Sequence, residues 1–121
     1  MDESVSVLGD EELLGKVLDN LVSNAVRYAK STVTVAVSAE ESYVQISVLD
    51  DGAGIAENDL PHLFERCYKG KGGNFGLGLS IALTAARAMG GDLTAANRPE
   101  GGAVFTLTLP RAKPYPLKEL L

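Results

Sequence analysis

The spacing of the apolar residues changes abruptly near Ala29, and that switch constrains the fold more than any other feature of the chain. Leu13, Leu14, Val17, Leu18, Leu21, Val22, Ala25, Val26 and Ala29 recur at helical spacing and predict one long helix with a broad buried face. Immediately afterwards Val33, Val35 and Val37 alternate in "TVTVAVS", and Val44, Ile46 and Val48 alternate in "YVQISVL". These predict two strands joined by the polar "AEES". A helix and a sheet that are each apolar on one side must cover one another, so the chain is expected to form two layers.

The remaining segments fill in that plan. Residues 4–8 ("SVSVL") alternate briefly and predict a short strand, and Asp10 after Gly9 is a credible N-cap before Glu11 and Glu12. A short helix is expected to end near Phe64. A second helix is predicted from about Leu77 to Met89, stopped by Gly90-Gly91. Two final strands fit "DLTAAN" and "AVFTLTLP", with "RPEGG" as the turn. The expected class is α/β, a two-layer sandwich with helices packed on one face of a mixed, mostly antiparallel sheet. Residues 1–110 are expected to be one domain and 111–121 ("RAKPYPLKELL") a peripheral tail. At 121 residues the chain is long enough for one core and too short for two.

Against this plan "VLDDGAGI", residues 48–55, stands out. Asp and Gly are turn residues for good reasons, yet no second strand follows. Residues 50–76 form a long irregular connection, and connections of that length are uncommon without a function. Seven of the thirteen glycines fall between 52 and 78, where they suit a backbone that must approach a ligand closely. Arg66, Lys69 and Lys71 supply local positive charge in a chain of net charge -5. That overall charge argues against a nucleic-acid binder. "NFGLGLS" ends where the second helix starts, and free N–H groups there favour an anion. The glycine spacing is not that of a Rossmann or P-loop motif.

Asn20, Asn24 and Arg27 line up on one stripe of the first helix. A solvated polar face would explain any one of them. As a set they gain meaning, because an Asn carbonyl can ligate Mg²⁺ while Arg neutralises phosphate. The single cysteine, Cys67, cannot form an internal disulfide, the start lacks a signal-peptide pattern, and no apolar run approaches bilayer length. A cytoplasmic setting is the expectation.

Four motifs in order resemble the ATP-binding catalytic domain of sensor histidine kinases, within the wider group that includes gyrase, MutL and the heat-shock chaperone ATPases. "NLVSNAVRY" looks like the N box, "DDGAGI" the first glycine box, "LFERCYKG" the F box, and "FGLGLSIA" the second glycine box. "EGGAVFTLTLP" is similar to the family's closing strand pair. The resemblance runs from about Gly9 to Pro110 and implies the Bergerat ATP-binding fold, with ATP and Mg²⁺ as ligands. It implies that Asp50 accepts a hydrogen bond from the adenine amino group, with Gly52, Gly54 and Ile55 beside the base and Asp51 a solvated neighbour. Asn24 matches the Mg²⁺-coordinating asparagine, Asn20 the asparagine one turn earlier, Arg27 a phosphate contact and Tyr28 the aromatic flank. Lys69 matches a basic position near the γ-phosphate. Gly76 and Gly78 match the hinge of the ATP lid, which is short here from Lys69 to Asn74, and Leu77 and Leu79 are expected among the nucleotide-binding residues. Thr106 is carried over from the closing strands.

The resemblance further implies a partner. Phosphoryl transfer in this family goes to a histidine on a dimerisation domain, and from there to a response regulator. The only histidine, His62 in "LPHLFER", does not look like a phosphoacceptor, so a structural surface role is expected for it. A water-activating ATPase of the gyrase or MutL kind, or an anti-sigma-factor kinase, would carry a glutamate base one turn before the metal ligand. Asn20 stands there and cannot take a proton. A nucleotide-sensing module without catalysis is the third reading.

Overall fold

The computed structural model describes residues 11–66 and 78–111. The element order is α1 (Glu11–Tyr28), β1 (Val33–Ala39), β2 (Tyr43–Asp50), a 3₁₀ turn (Leu60–His62), α2 (Gly78–Ala88), β3 (Asp92–Asn97) and β4 (Ala103–Pro110). The expected strand at 4–8, the Asp10 cap, the lid from Lys69 to Asn74 and the tail beyond Arg111 lie outside the described residues. The four strands run β1-β2-β4-β3, and each described pairing is antiparallel.

Register explains the core. Val44, Ile46 and Val48 of β2 lie opposite Leu109, Leu107 and Phe105 of β4, so one face of the sheet carries a continuous apolar surface. That face is buried, because side chains alternate with period two and both strands keep the same parity. Val17, Leu21 and Ala25 of α1, with Leu79, Ala82, Ala85 and Ala86 of α2, complete the core above it. The small alanines let α2 lie close to the sheet and to α1. The α2 C-terminus closes as the sequence predicts: Gly90 takes φ 81, and the Gly91 N–H bonds to the Ala86 carbonyl at 2.9 Å.

Helical and alternating periods correctly marked the faces but not how far each face is covered. Val26, counted among the buried residues of α1, is 63% exposed. Val35 and Val37 of β1 share the helix-facing side with Val48 and Ile46, yet are 53% and 42% exposed. β1 is an edge strand among the described residues, so its outer side has no neighbouring strand to cover it. No described helix is long and apolar enough to cross a membrane.

Candidate functional site

A cavity of about 240 Å³ opens beside the end of β2, between α1 and the sheet. Asn24 and Tyr28 reach it from α1, Asp50 from the last position of β2, and Ala103 and Phe105 from β4. Ala53, Gly54, Ile55, Ala56 and Asp59 form its rim from the irregular connection. The walls are apolar with a few convergent polar groups, which is the usual character of a small-molecule site. Phe64 packs edge-on against Phe105 with ring centroids 6.4 Å apart, so Phe64 backs the Phe105 wall of the cavity.

Asp50 is the central group. It is 3% exposed, and its Oδ1 accepts the Gly52 N–H at 2.8 Å and the Ala103 N–H at 3.4 Å. Among the described residues Oδ2 receives no hydrogen bond, so half of a buried carboxylate is left to accept a donor from elsewhere. Its backbone oxygen accepts Arg98 Nη1 at 2.7 Å. Gly52 is required here on steric grounds, since a Cβ would run into the carbonyl oxygen of Tyr28. The end of α1 and the turn after β2 therefore meet backbone to backbone.

Side chains that the sequence reading passed over hold this turn in place. Asn97 clasps Ile55 from both sides, Oδ1 accepting its N–H at 2.7 Å and Nδ2 donating to its carbonyl at 2.8 Å. Asp51, expected to be a solvated neighbour, is half-exposed and is also engaged. Its Oδ1 accepts the N–H groups of Lys30, Ser31 and Thr32 at 2.9, 3.0 and 3.1 Å, and its Oδ2 the Ser31 hydroxyl at 2.7 Å. The Ser31 hydroxyl first, then these backbone donors, hold the carboxyl well below the usual carboxylate range. The reason is register. Val33 lies opposite Asp50, so Asp51 comes beside Thr32 where the ladder ends and the α1–β1 loop presents unpaired donors.

The remaining expected residues divide. Asn24, Tyr28, Asp50, Gly54 and Ile55 line one cavity, and Gly52 sits directly behind Asp50. Asn20 faces the start of α2, where a Cβ on Gly78 would lie 3.2 Å from its Oδ1, so the N box and the second glycine box meet there. Arg27 is exposed in the last turn of α1. Lys69, Gly76 and Leu77 lie outside the described residues. Leu79, 2% exposed, belongs to the core and does not line the cavity. Thr106 is a correction. Ala103 and Phe105 point to the cavity, so the alternation of β4 turns Thr106 to the opposite face, where its hydroxyl lies 3.4 Å from Ser47 Oγ. His62 is exposed and its Nδ1 lies 2.6 Å from Glu65 Oε1, in keeping with a surface role. Asp59 lacked any sequence signal, because its stretch has no periodicity. Asn97 and Arg98 stand at the "NRPEGG" turn, which reads only as a hairpin.

Comparison with known proteins agrees with this architecture. Sensor histidine kinase MprB, mycobacterial, superposes with a TM-score of 0.80 at 23% identity, covering 91% of this chain and 80% of that one, which shows the fold. Full-length ShkA in complex with AMPPNP superposes with a TM-score of 0.79 at 31% identity, covering 93% of this chain and 24% of that one. The signal transduction histidine-protein kinase AfsQ2 of Streptomyces coelicolor is 45% identical over 115 residues, covering 91% of this chain and 22% of AfsQ2. This chain thus spans about a fifth of that curated relative's length. Residues 9–113 match the family described as histidine kinase-, DNA gyrase B- and HSP90-like ATPases. With that match running over most of its length, and with the two helices on an open antiparallel sheet of the Bergerat fold, the chain belongs to this ATPase family.

Proposed function

We propose that the chain is the ATP-binding catalytic part of a sensor histidine kinase, passing the γ-phosphoryl group of ATP to a histidine on a dimerisation domain outside this chain. The observation that carries the reading is Asp50, a buried carboxylate at a cavity wall with one oxygen fixed by Gly52 and the other open. A carboxylate accepts only, so it fits the exocyclic amine of adenine and repels the carbonyl that guanine presents at the same place. Gly54 and Ile55 border the base, Tyr28 flanks it, and Phe105 closes the apolar wall. Arg27, and by motif position Lys69, Gly76, Leu77 and Gly78, serve the phosphates and the lid over them.

The metal reading rests on Asn24. Among the described residues no three His, Cys, Asp or Glu side chains gather to hold an ion. The Asn24 amide oxygen in the nucleotide cavity would help to hold a Mg²⁺ ion accompanying the phosphates, a hard cation that suits oxygen donors. When bound, the ion neutralises phosphate charge. The protein's own residues then have little covalent work to do: they place the nucleotide and exclude solvent from the base. The imidazole nitrogen of the acceptor forms the bond to the γ-phosphorus, the bridging oxygen bond breaks, and ADP leaves. Asn20 stands near the metal ligand on α1 and has no basic atom for activating water, which favours transfer over hydrolysis. AfsQ2 and ShkA support the kinase reading through their relationship to this chain, and the ShkA complex with AMPPNP supports a nucleotide ligand. A response regulator would be the eventual acceptor, and the domain would act at the cytoplasmic side without touching nucleic acid or membrane.

The test is one incubation with γ-labelled ATP in three lanes: the chain alone, the chain with the dimerisation segment of its own kinase, and an Asn24→Ala chain with that segment. Label is expected only on the segment in the second lane, in an acid-labile, alkali-stable bond. Label on the lone chain, rapid phosphate release without the partner, or an acid-stable product would overturn the reading.

A further inference from the structure

The groups proposed to bind nucleotide come from two elements that the chain joins only distantly. Asn24 and Tyr28 belong to α1, while Asp50 ends β2, and a strand and two loops separate them. Their relative placement depends on whatever fastens the exit of α1 to the end of β2. The β1–β2 ladder stops at the Val33–Asp50 pair, one residue short of the loop that leaves α1. Beyond that pair, the Asp51 carboxylate gathers three consecutive backbone N–H groups and one hydroxyl of residues 30–32. Gly52 follows at once, so close to the Tyr28 carbonyl that no side chain fits between them. Attraction at 51 and contact at 52 together define how far α1 stands from Asp50.

We infer that Asp51 is a positioning residue for the nucleotide, a polar latch that sets the distance between the α1 groups Asn24 and Tyr28 and the Asp50 carboxylate. It touches no ligand itself. This rests on the proposed nucleotide reading. The chemistry explains why the residue is an acid. Three N–H groups pointing at one place form a small anion-binding nest; Oδ1 of the carboxylate satisfies all three, and Oδ2 takes the Ser31 hydroxyl. Alanine leaves the nest to water and frees the loop. Asparagine keeps an acceptor oxygen for the backbone donors and restores most of the latch.

The experiment measures ADP and GDP affinity by calorimetry for the whole chain as wild type, Asp51→Ala, Asp51→Asn, Ser31→Ala and Leu93→Val, with thermal midpoints for each. Leu93 is buried in β3, away from the latch, and gives a destabilised protein with an intact site. Asp51→Ala is expected to lose about tenfold in ADP affinity and part of its preference over GDP. Asp51→Asn should recover most of both, and Ser31→Ala should lose a few-fold. Leu93→Val should lower the midpoint while leaving affinity and preference unchanged, which a latch acting only on overall stability would not produce. Wild-type affinity and preference in a folded Asp51→Ala protein overturns the inference while leaving the nucleotide reading intact. An Asp51→Asn protein no better than Asp51→Ala overturns it as well. If Asp51→Ala does not fold, an unchanged Ser31→Ala protein decides against it. Failure of the wild type to bind either nucleotide brings down the proposed function, and the inference with it.

Discussion

Two adjacent glycines offer a controlled comparison, because both need a left-handed backbone and only one is crowded. Gly101 has φ 109 and Gly102 has φ 90 in the turn between β3 and β4. An alanine at either position pays about 1–2 kcal/mol for holding an L residue there. At Gly101 a Cβ meets nothing within 4 Å, so that strain is the whole cost. At Gly102 the Cβ would overlap the backbone oxygen of Asp50. The same oxygen accepts Arg98 Nη1 at 2.7 Å, so relieving the overlap moves Asp50 away from the guanidinium. Losing a hydrogen bond to a charged group costs about 1.5–3 kcal/mol, which brings Gly102→Ala to about 2.5–5 kcal/mol. The expected fall in thermal midpoint is about 10–20 °C for Gly102→Ala and about 5 °C for Gly101→Ala. Nucleotide affinity, measured by calorimetry well below both midpoints, should drop only in Gly102→Ala, because only there is the Asp50 strand end displaced. Equal midpoints, or full affinity in Gly102→Ala, would refute the claim that this turn braces Asp50.

Asp50→Ala should weaken ATP and ADP binding at least tenfold while the fold survives, since a buried charged hydrogen bond is worth about 1.5–3 kcal/mol; unchanged calorimetric affinity would sink the adenine assignment. Asn24→Ala should reduce Mg²⁺-dependent ATP binding more than adenosine binding, and equal losses for the two ligands would remove Asn24 from the metal. The Asp51 carboxyl is held well below its ordinary value of 3.8 in the folded state, so its contribution to stability is complete above about pH 4 and is lost as pH falls through the lower folded value. Urea midpoints between pH 6 and pH 2.5 should therefore fall less steeply in Asp51→Asn than in wild type, and parallel curves would contradict the bonding seen at residues 30–32.

Much of the fold was legible because it is periodic. Alternation of Val44, Ile46 and Val48 marked the buried face of β2, and the helical spacing of α1 included Val17, Leu21 and Ala25 in its buried face. Periodicity reports direction and not coverage, which is why Val26 was counted as buried and why alternation did not reveal that Val35 and Val37 are exposed. Thr106 failed for a related reason: a motif carried over by likeness says nothing of strand parity, and one residue of offset moves a side chain to the other face. Asp51, Asn97 and Arg98 were illegible for a different cause. Their bonds span 19 to 48 residues, and no local pattern announces a side chain that serves a distant backbone.

Those unannounced contacts have a common origin in where Asp50 stands. It closes the β1–β2 ladder against Val33, and the β2–β4 ladder ends one residue earlier at Leu49 and Val104. From Asp51 onward the backbone has lost its sheet partners, and side chains take their place for several of its peptide groups. Arg98 takes the carbonyl of Asp50, Asn97 takes both groups of Ile55, and Asp51 answers the donors of the facing loop. A strand that simply continued would have filled the space beside Asp50 with another ladder. Ending it there and bracing the free backbone with side chains keeps the carboxylate rigid and one of its oxygens open, which is the condition for reading a ligand by a single hydrogen bond.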